Sequence, residues 1–201
     1  MPGRFFLTAT AAEVAGHFAA EAAGVADPGP RPDAAPGDTV TAVVSDGGRR
    51  LVGMRWGMIP MGRTNARGRP VMETIVNARS ETLFAKTAYA GLRRCILPVS
   101  GWYEWTGPPR RKTRWAIAAP DAPLLAFAAV WDRWRAPDGA EVLSLATVTC
   151  APNADVAPVH DRMPVILAAA DHALWLGEAA GDPAPLLRPF PDGRLRVAPA
   201  A

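Results

Sequence analysis

Turn signals set at short intervals between apolar, β-branched runs constrain this chain more than any other feature. Residues 39–45 (TVTAVVS) and 49–59 (RRLVGMRWGMI) flank Asp46-Gly47-Gly48 and read as a hairpin. Residues 93–105 (RRCILPVSGWYEW) give an apolar strand followed by a bend at Gly-Trp. Three more strands follow at 114–119 (RWAIAA), 124–134 (LLAFAAVWDRW) and 141–150 (EVLSLATVTC), the last two joined by a turn at Pro137-Asp138-Gly139. Helical spacing is confined to short pieces. Residues 8–23 place Val14, Phe18 and Ala22 on one face, with Thr10 as N-cap and Glu13 three positions on. A second helix is expected to start near Ser80, and a short one at 171–177 (DHALWLG). Residues 24–38 are dense in Gly and Pro and are expected to be a loop. Strands with a few inserted helices predict an α+β fold: one domain over 1–201, built on a curved, largely antiparallel sheet. The Pro-rich segment from about 182 to 201 is expected to be partly mobile.

The chain has 201 residues, 49% apolar and 20% charged, enough to bury a sizeable core in a single globular unit. No apolar run approaches the roughly 18 residues of a membrane span, and the first residues do not have the pattern of an export signal. A cytoplasmic monomer with no membrane partner is therefore expected, associated with the nucleoid when bound to DNA. His17, His160 and His172 are scattered, and Cys95 and Cys150 sit in apolar surroundings, so neither a metal site nor a bound cofactor is expected. Of 22 basic residues only Lys86 and Lys112 are lysine. Arginine holds phosphate bidentately and stacks on flat rings, so a chain with this bias and seven Trp is compatible with a nucleic-acid groove.

Five stretches interrupt the strand pattern with polar or aromatic residues: PGRF (2–5), WGMIP (56–60), NARSET (77–82), GWYEW (101–105) and HDRMP (160–164). With AVWDRW (129–134) they occur in an order and spacing that resembles the SOS-response-associated peptidase (SRAP) family, the abasic-site processing proteins. The resemblance runs from Pro2 to about Leu167, and RPDAAPGD carries Asp33 where the family usually has Asn. It implies an open-barrel-like α+β domain with flanking helices and a basic groove for single-stranded DNA. It also implies a catalytic N-terminus. Usual members begin Met-Cys-Gly-Arg; after Met removal, the Cys amine and thiol close on the aldehyde of an abasic site as a thiazolidine.

Here Pro2 stands in place of that Cys with no shift in register, so thiazolidine closure is excluded at this terminus. A secondary amine still adds to an aldehyde and loses water to give an iminium ion, which acidifies C2′ and opens a route to β-elimination of the 3′ phosphate. By the resemblance, Glu104 moves the proton, His160 assists near the sugar and Asn77 orients the lesion. Arg4, Arg79 and Arg162 hold phosphates or shape the pocket, and Trp56 offers a face for base stacking. Three readings stay open: a lesion enzyme using the Pro2 amine, a catalytically silent binder of single-stranded or abasic DNA, and a peptidase-like, self-processing protein.

Overall fold

A computed structural model describes residues 3–22, 30–59, 74–85, 91–135 and 139–200. Pro2, Pro60, Pro137, Asp138 and the 23–29 part of the Gly/Pro-rich stretch lie outside the described residues. The strands, in chain order, are β1 (Arg4–Leu7), β2 (Arg31–Ala34), β3 (Thr39–Ser45), β4 (Arg49–Trp56), β5 (Asn77–Arg79), β6 (Arg93–Val99) and β7 (Gly101–Thr106). They continue with β8 (Thr113–Ala118), β9 (Leu125–Arg135), β10 (Glu141–Cys150), β11 (Met163–Pro164), β12 (Ile166–Leu167) and β13 (Arg196–Pro199). Two α-helices, α1 (Ala11–Phe18) and α2 (His172–Leu176), flank them.

Five strands close on themselves. β3 pairs with β4, β4 with β10, β10 with β9, β9 with β6, and β6 returns to β3. Four of these five pairings are antiparallel, and β4–β10 is parallel. Two seams are short, Val43 opposite Ile96 and Ser144–Leu145 opposite Arg55–Trp56, as expected where a twisted sheet bends round to meet itself. β9 is buried continuously from Leu125 to Trp131, which explains its unbroken apolar run. A second, five-stranded sheet runs β13-β8-β7-β1-β2 and packs on the barrel.

Gly101 lets the chain pass from barrel to second sheet. A Cβ there would lie 2.4 Å from both the Ile117 carbonyl oxygen and Phe6 Cζ, so any side chain is excluded. From this point Trp102 reaches back to meet Phe127 of β9 edge-on at 5.6 Å, while Phe5 of β1 packs on Trp56 at 5.1 Å. These contacts join the two sheets through residues withdrawn from water.

α1 is shorter than its periodicity suggested, but its cap forms as expected. Thr10 Oγ1 accepts from the Glu13 N–H, and Glu13 Oε2 accepts from the Thr10 N–H. Two expectations are corrected. The Gly/Pro-rich stretch contains β2, whose residues pair with β1. The helix expected from Ser80 is one 3₁₀ turn over Ser80–Thr82, followed by a turn to Ala85. In the Pro-rich tail, β13 pairs with β8 from Arg196 to Pro199.

Candidate active site

Glu104 occupies an inward-facing position on β7, two residues from Trp102, where strand alternation calls for an apolar side chain. It is 4% exposed. Burial pushes its carboxyl from 4.5 up to about 7, with Asp161 raising it further. At neutral pH it is therefore present in both protonation states, the condition for a group that must take and return a proton.

His160 supplies the facing group. Its Nε2 lies 3.9 Å from Glu104 Oε2, beyond direct hydrogen-bond reach but close enough for proton exchange through a small adjustment or one reacting atom. The Arg162 backbone N–H donates to His160 Nδ1 at 2.9 Å. Asp161 Oδ1 lies 2.9 Å from the same nitrogen, so a ring that turns its Nδ1 proton to that carboxylate leaves the Nε2 lone pair towards Glu104. Burial lowers the His160 pKa, and the nearby Asp161, 2.9 Å from Nδ1, opposes that shift. The imidazole is consequently neutral where Glu104 titrates.

The loop carrying His160 is held by the tail. Asp155 accepts from the backbone N–H groups of Gly193 and Leu195, and Asp192 accepts from Ala154 N–H. Asn153 Oδ1 caps the loop from inside by accepting from Val156 N–H, and the Asn153 Nδ2 group donates to Pro191 O. The tail thus fixes a residue of the site.

Asn77 and Arg79 enter on β5, which runs parallel to β10 with Asn77 opposite Thr147 and Arg79 opposite Thr149. Thr147 Oγ1 donates to Asn77 Oδ1 at 2.5 Å, so the amide is oriented with its oxygen already engaged. Arg162 ties this segment to the histidine loop. Its guanidinium pairs with Glu81, holding that carboxyl down at about 2, and donates to Thr149 O at 2.6 Å. Arg162 therefore shapes the pocket. Arg79 is exposed.

Arg4 faces Tyr103 across β1–β7, one strand position from Glu104, and the pairing of Phe6 with Gly101 and Phe5 with Trp102 shows β1 running back towards its amino end along β7. Asp33 bridges Arg4 at 3.1 Å and Arg114 at 3.2 Å, and Arg114 lies over the Tyr103 ring at 3.7 Å. Pro2 itself lies outside the described residues. Neither remaining thiol is a ready nucleophile. Cys95 and Cys150 are buried, and burial pushes both thiols up, Cys150 to about 11. Among the described residues no cluster of three His, Cys, Asp or Glu side chains could hold a metal ion. No described helix is long and apolar enough to cross a membrane.

One residue assigned to the site belongs elsewhere. Trp56, expected to stack on a base, is 0% exposed; its Nε1 donates to Val76 O and its ring packs on Phe5. It is core, and it has no face for a base. The sequence reading also missed Thr147, Thr149 and Glu81, which position Asn77 and Arg162. The available signal was the run of hydroxyls in LSLATVTC, three of which (Ser144, Thr147 and Thr149) are buried in a strand otherwise apolar at its centre.

A histidine thus faces a carboxyl whose pKa is raised to about 7, and Arg162 links the histidine loop to the β5–β10 pair that carries Asn77 and Arg79. The chain belongs to the SOS response associated peptidase (SRAP) family, whose profile matches residues 1–201. It is 32% identical over 169 residues to the abasic site processing protein YoqW of Bacillus subtilis, covering 80% of this chain and 74% of that one. The abasic site processing protein HMCES of Gallus gallus is 30% identical over 142 residues, 59% of this chain and 42% of that one. A Bacteroides thetaiotaomicron structure superposes with a TM-score of 0.84 at 22% identity, covering 98% of this chain and 91% of that one, which is a likeness of fold. A Bordetella bronchiseptica structure gives 0.81 at 25% identity over 99% of both chains.

Proposed function

We propose that this protein processes abasic sites in single-stranded DNA as part of a DNA-damage response, acting through the Pro2 amine once Met1 is removed. The observation that carries the reading is Glu104: a buried carboxyl poised at about 7, facing His160, on the strand along which β1 runs towards residue 2. The named activity of the relatives supports the substrate class.

The chemistry balances without a thiol. Glu104 accepts the proton of the Pro2 ammonium, and the nitrogen lone pair attacks C1′ of the ring-opened sugar. The proton still on nitrogen passes to the alkoxide to give the carbinolamine; Glu104 returns its proton to that hydroxyl, which leaves as water, and a cationic iminium remains. His160 then removes a C2′ proton; the C–H electrons form the C2′–C3′ double bond as the C3′–O bond breaks and the phosphate departs. Water later adds to the iminium carbon and releases Pro2. Asn77 orients the sugar, and Arg4 and Arg79 meet phosphates.

Borohydride tests the intermediate. Mature protein incubated with an abasic single strand and borohydride should give a permanent cross-link, and without borohydride a strand cut 3′ to the lesion. Protein retaining Met1, whose Pro2 nitrogen is a tertiary amide, should give neither. Mature protein that binds the abasic strand yet yields no adduct and no cut overturns the amine chemistry and leaves the binding reading.

A further inference from the structure

The active pocket lies at one end of the barrel, where Val99 leads through Ser100 into β7. The opposite end of β6 begins at Arg93, roughly 20 Å away at about 3.3 Å per strand residue. There a cleft of about 340 Å³ opens between the β3–β4 hairpin, the start of β6 and the end of α2. Arg50, Arg93 and Arg94 line it, with Trp131 and Leu176 in its wall and Asp46 as the acidic residue of the lining.

Arg93 and Arg94 are prearranged in this cleft by aromatic and backbone partners. The Arg93 guanidinium sits over the Trp131 ring at 5.1 Å. Arg94 Nε donates to Trp175 O at 2.5 Å, and its guanidinium lies 5.9 Å from the Trp175 ring. Some other surface arginines, such as Arg49 and Arg135, are matched with carboxylates, Glu178 and Glu141. Among the described residues no such ion pair reaches Arg50, Arg93 or Arg94. Trp131, 5% exposed, forms an apolar part of the wall. Three like charges converging on one concavity repel one another, and the lining sets a single carboxylate, Asp46, against them. An oxygen-rich anion relieves that repulsion.

We propose that this cleft is a second binding site, for a phosphate group, separate from the Glu104–His160 pocket and independent of whether Pro2 reacts. Arginine forks match phosphate oxygens bidentately, and the free outer face of the Arg93 guanidinium offers a flat surface for an attached base. The phosphate can come from a free nucleotide or from a nucleic-acid backbone, and the two sources separate experimentally.

Calorimetry with inorganic phosphate, dAMP and deoxyadenosine provides the test, beside anisotropy with a labelled, undamaged single strand. Arg50→Gln and Arg93→Gln are the variants, because both side chains are surface-exposed; Arg94 is left intact because it holds α2. Unchanged thermal midpoints verify folding. Phosphate and dAMP should bind one per chain, deoxyadenosine should not, and each variant should weaken binding about tenfold, the loss of one charge-assisted hydrogen bond. A loss confined to the labelled strand, with its salt dependence reduced by about 0.7 per arginine, assigns the site to the nucleic-acid backbone. Absence of binding by every phosphate-bearing probe, or binding that both variants leave unchanged, overturns the proposal.

Discussion

Replacing Glu104 by Gln should make the protein more stable in alkali and remove much of its pH dependence. Glu104 titrates at 4.5 when unfolded and at about 7 when folded, because burial disfavours its charged form. Between those values the native state holds a proton that the unfolded state has lost, so unfolding releases it and stability falls as pH rises. The slope is about 1.4 kcal/mol per pH unit for one proton. Across the whole window the charged carboxylate costs about 3 kcal/mol, and between pH 5 and pH 8 about 2–3 kcal/mol. Because the side chain is 4% exposed, solvent screening removes little of this.

Urea unfolding at pH 5 and pH 8 measures the effect directly. For an m-value of about 2 kcal/mol/M, the parent's midpoint should fall by about 1 M more than the variant's between the two pH values. Gln matches the shape of the protonated acid, so the two proteins should be nearly equal at pH 5. Taking the difference of differences cancels every other titrating group that is unaffected by the exchange. Parallel pH curves for parent and variant would refute the burial argument, and with it the assignment of Glu104 as a group poised to exchange protons near neutrality.

Three further outcomes are expected. His172, buried against Phe18 at 5.3 Å, has a pKa lowered by burial and by Arg49, so its contribution to stability is present above 6.5 and lost on acidification; His172→Gln should flatten urea midpoints between pH 6.5 and 5. Trp56→Ala should cost about 3–5 kcal/mol of unfolding free energy, while Trp56→Phe should leave DNA affinity unchanged, as befits a core residue. Asp33→Asn should free Arg4 and Arg114, tightening single-strand binding and steepening its log–log salt slope by about 0.7–1.4, the contribution of one or two phosphate contacts. A slope unchanged in anisotropy titrations would remove both arginines from the DNA path.

The strands and their order were legible because each carries a local signal: a β-branched run bounded by Gly, Pro or Asp. Glu104, His160, Asn77 and Arg162 were legible because each interrupts such a run. What escaped depends on distant partners. β2 is a strand only because β1 lies beside it; RPDA alone, with its proline, reads as loop. The tail makes its contacts with Asp155 and β8, which lie 38 or more residues away in sequence. Trp56 shows the converse error. An aromatic beside polar motifs suggests a stacking platform, but its place on the strand turns it inward against Phe5. Local pattern therefore singled out the stretches that carry these polar residues, the family resemblance supplied their expected roles, and neither revealed that Trp56 is buried.

The separation between residue 2 and the rest of the pocket has a chemical consequence. Register on β1 is fixed from Arg4 onward by backbone pairing with β7 and by Phe5 seated on Trp56, none of which involves the residue-2 side chain. Glu104 is poised by burial, and His160 by a backbone N–H and a loop pinned through Asp155. Exchanging the terminal residue thus alters the nucleophile while leaving the proton-transfer pair in place. A thiol would stop the reaction at a closed ring; a secondary amine without one leaves the iminium open to loss of the C2′ proton, with His160 the neutral base facing that site. On the chemistry proposed above, the same pocket would cut the strand where a Cys terminus would give a stable adduct. On this argument Pro2→Cys alone should convert transient, borohydride-dependent trapping into a heat-stable cross-link. Failure of a folded, Met-processed Pro2→Cys protein to form that adduct would show that the pocket, and not residue 2, sets the outcome.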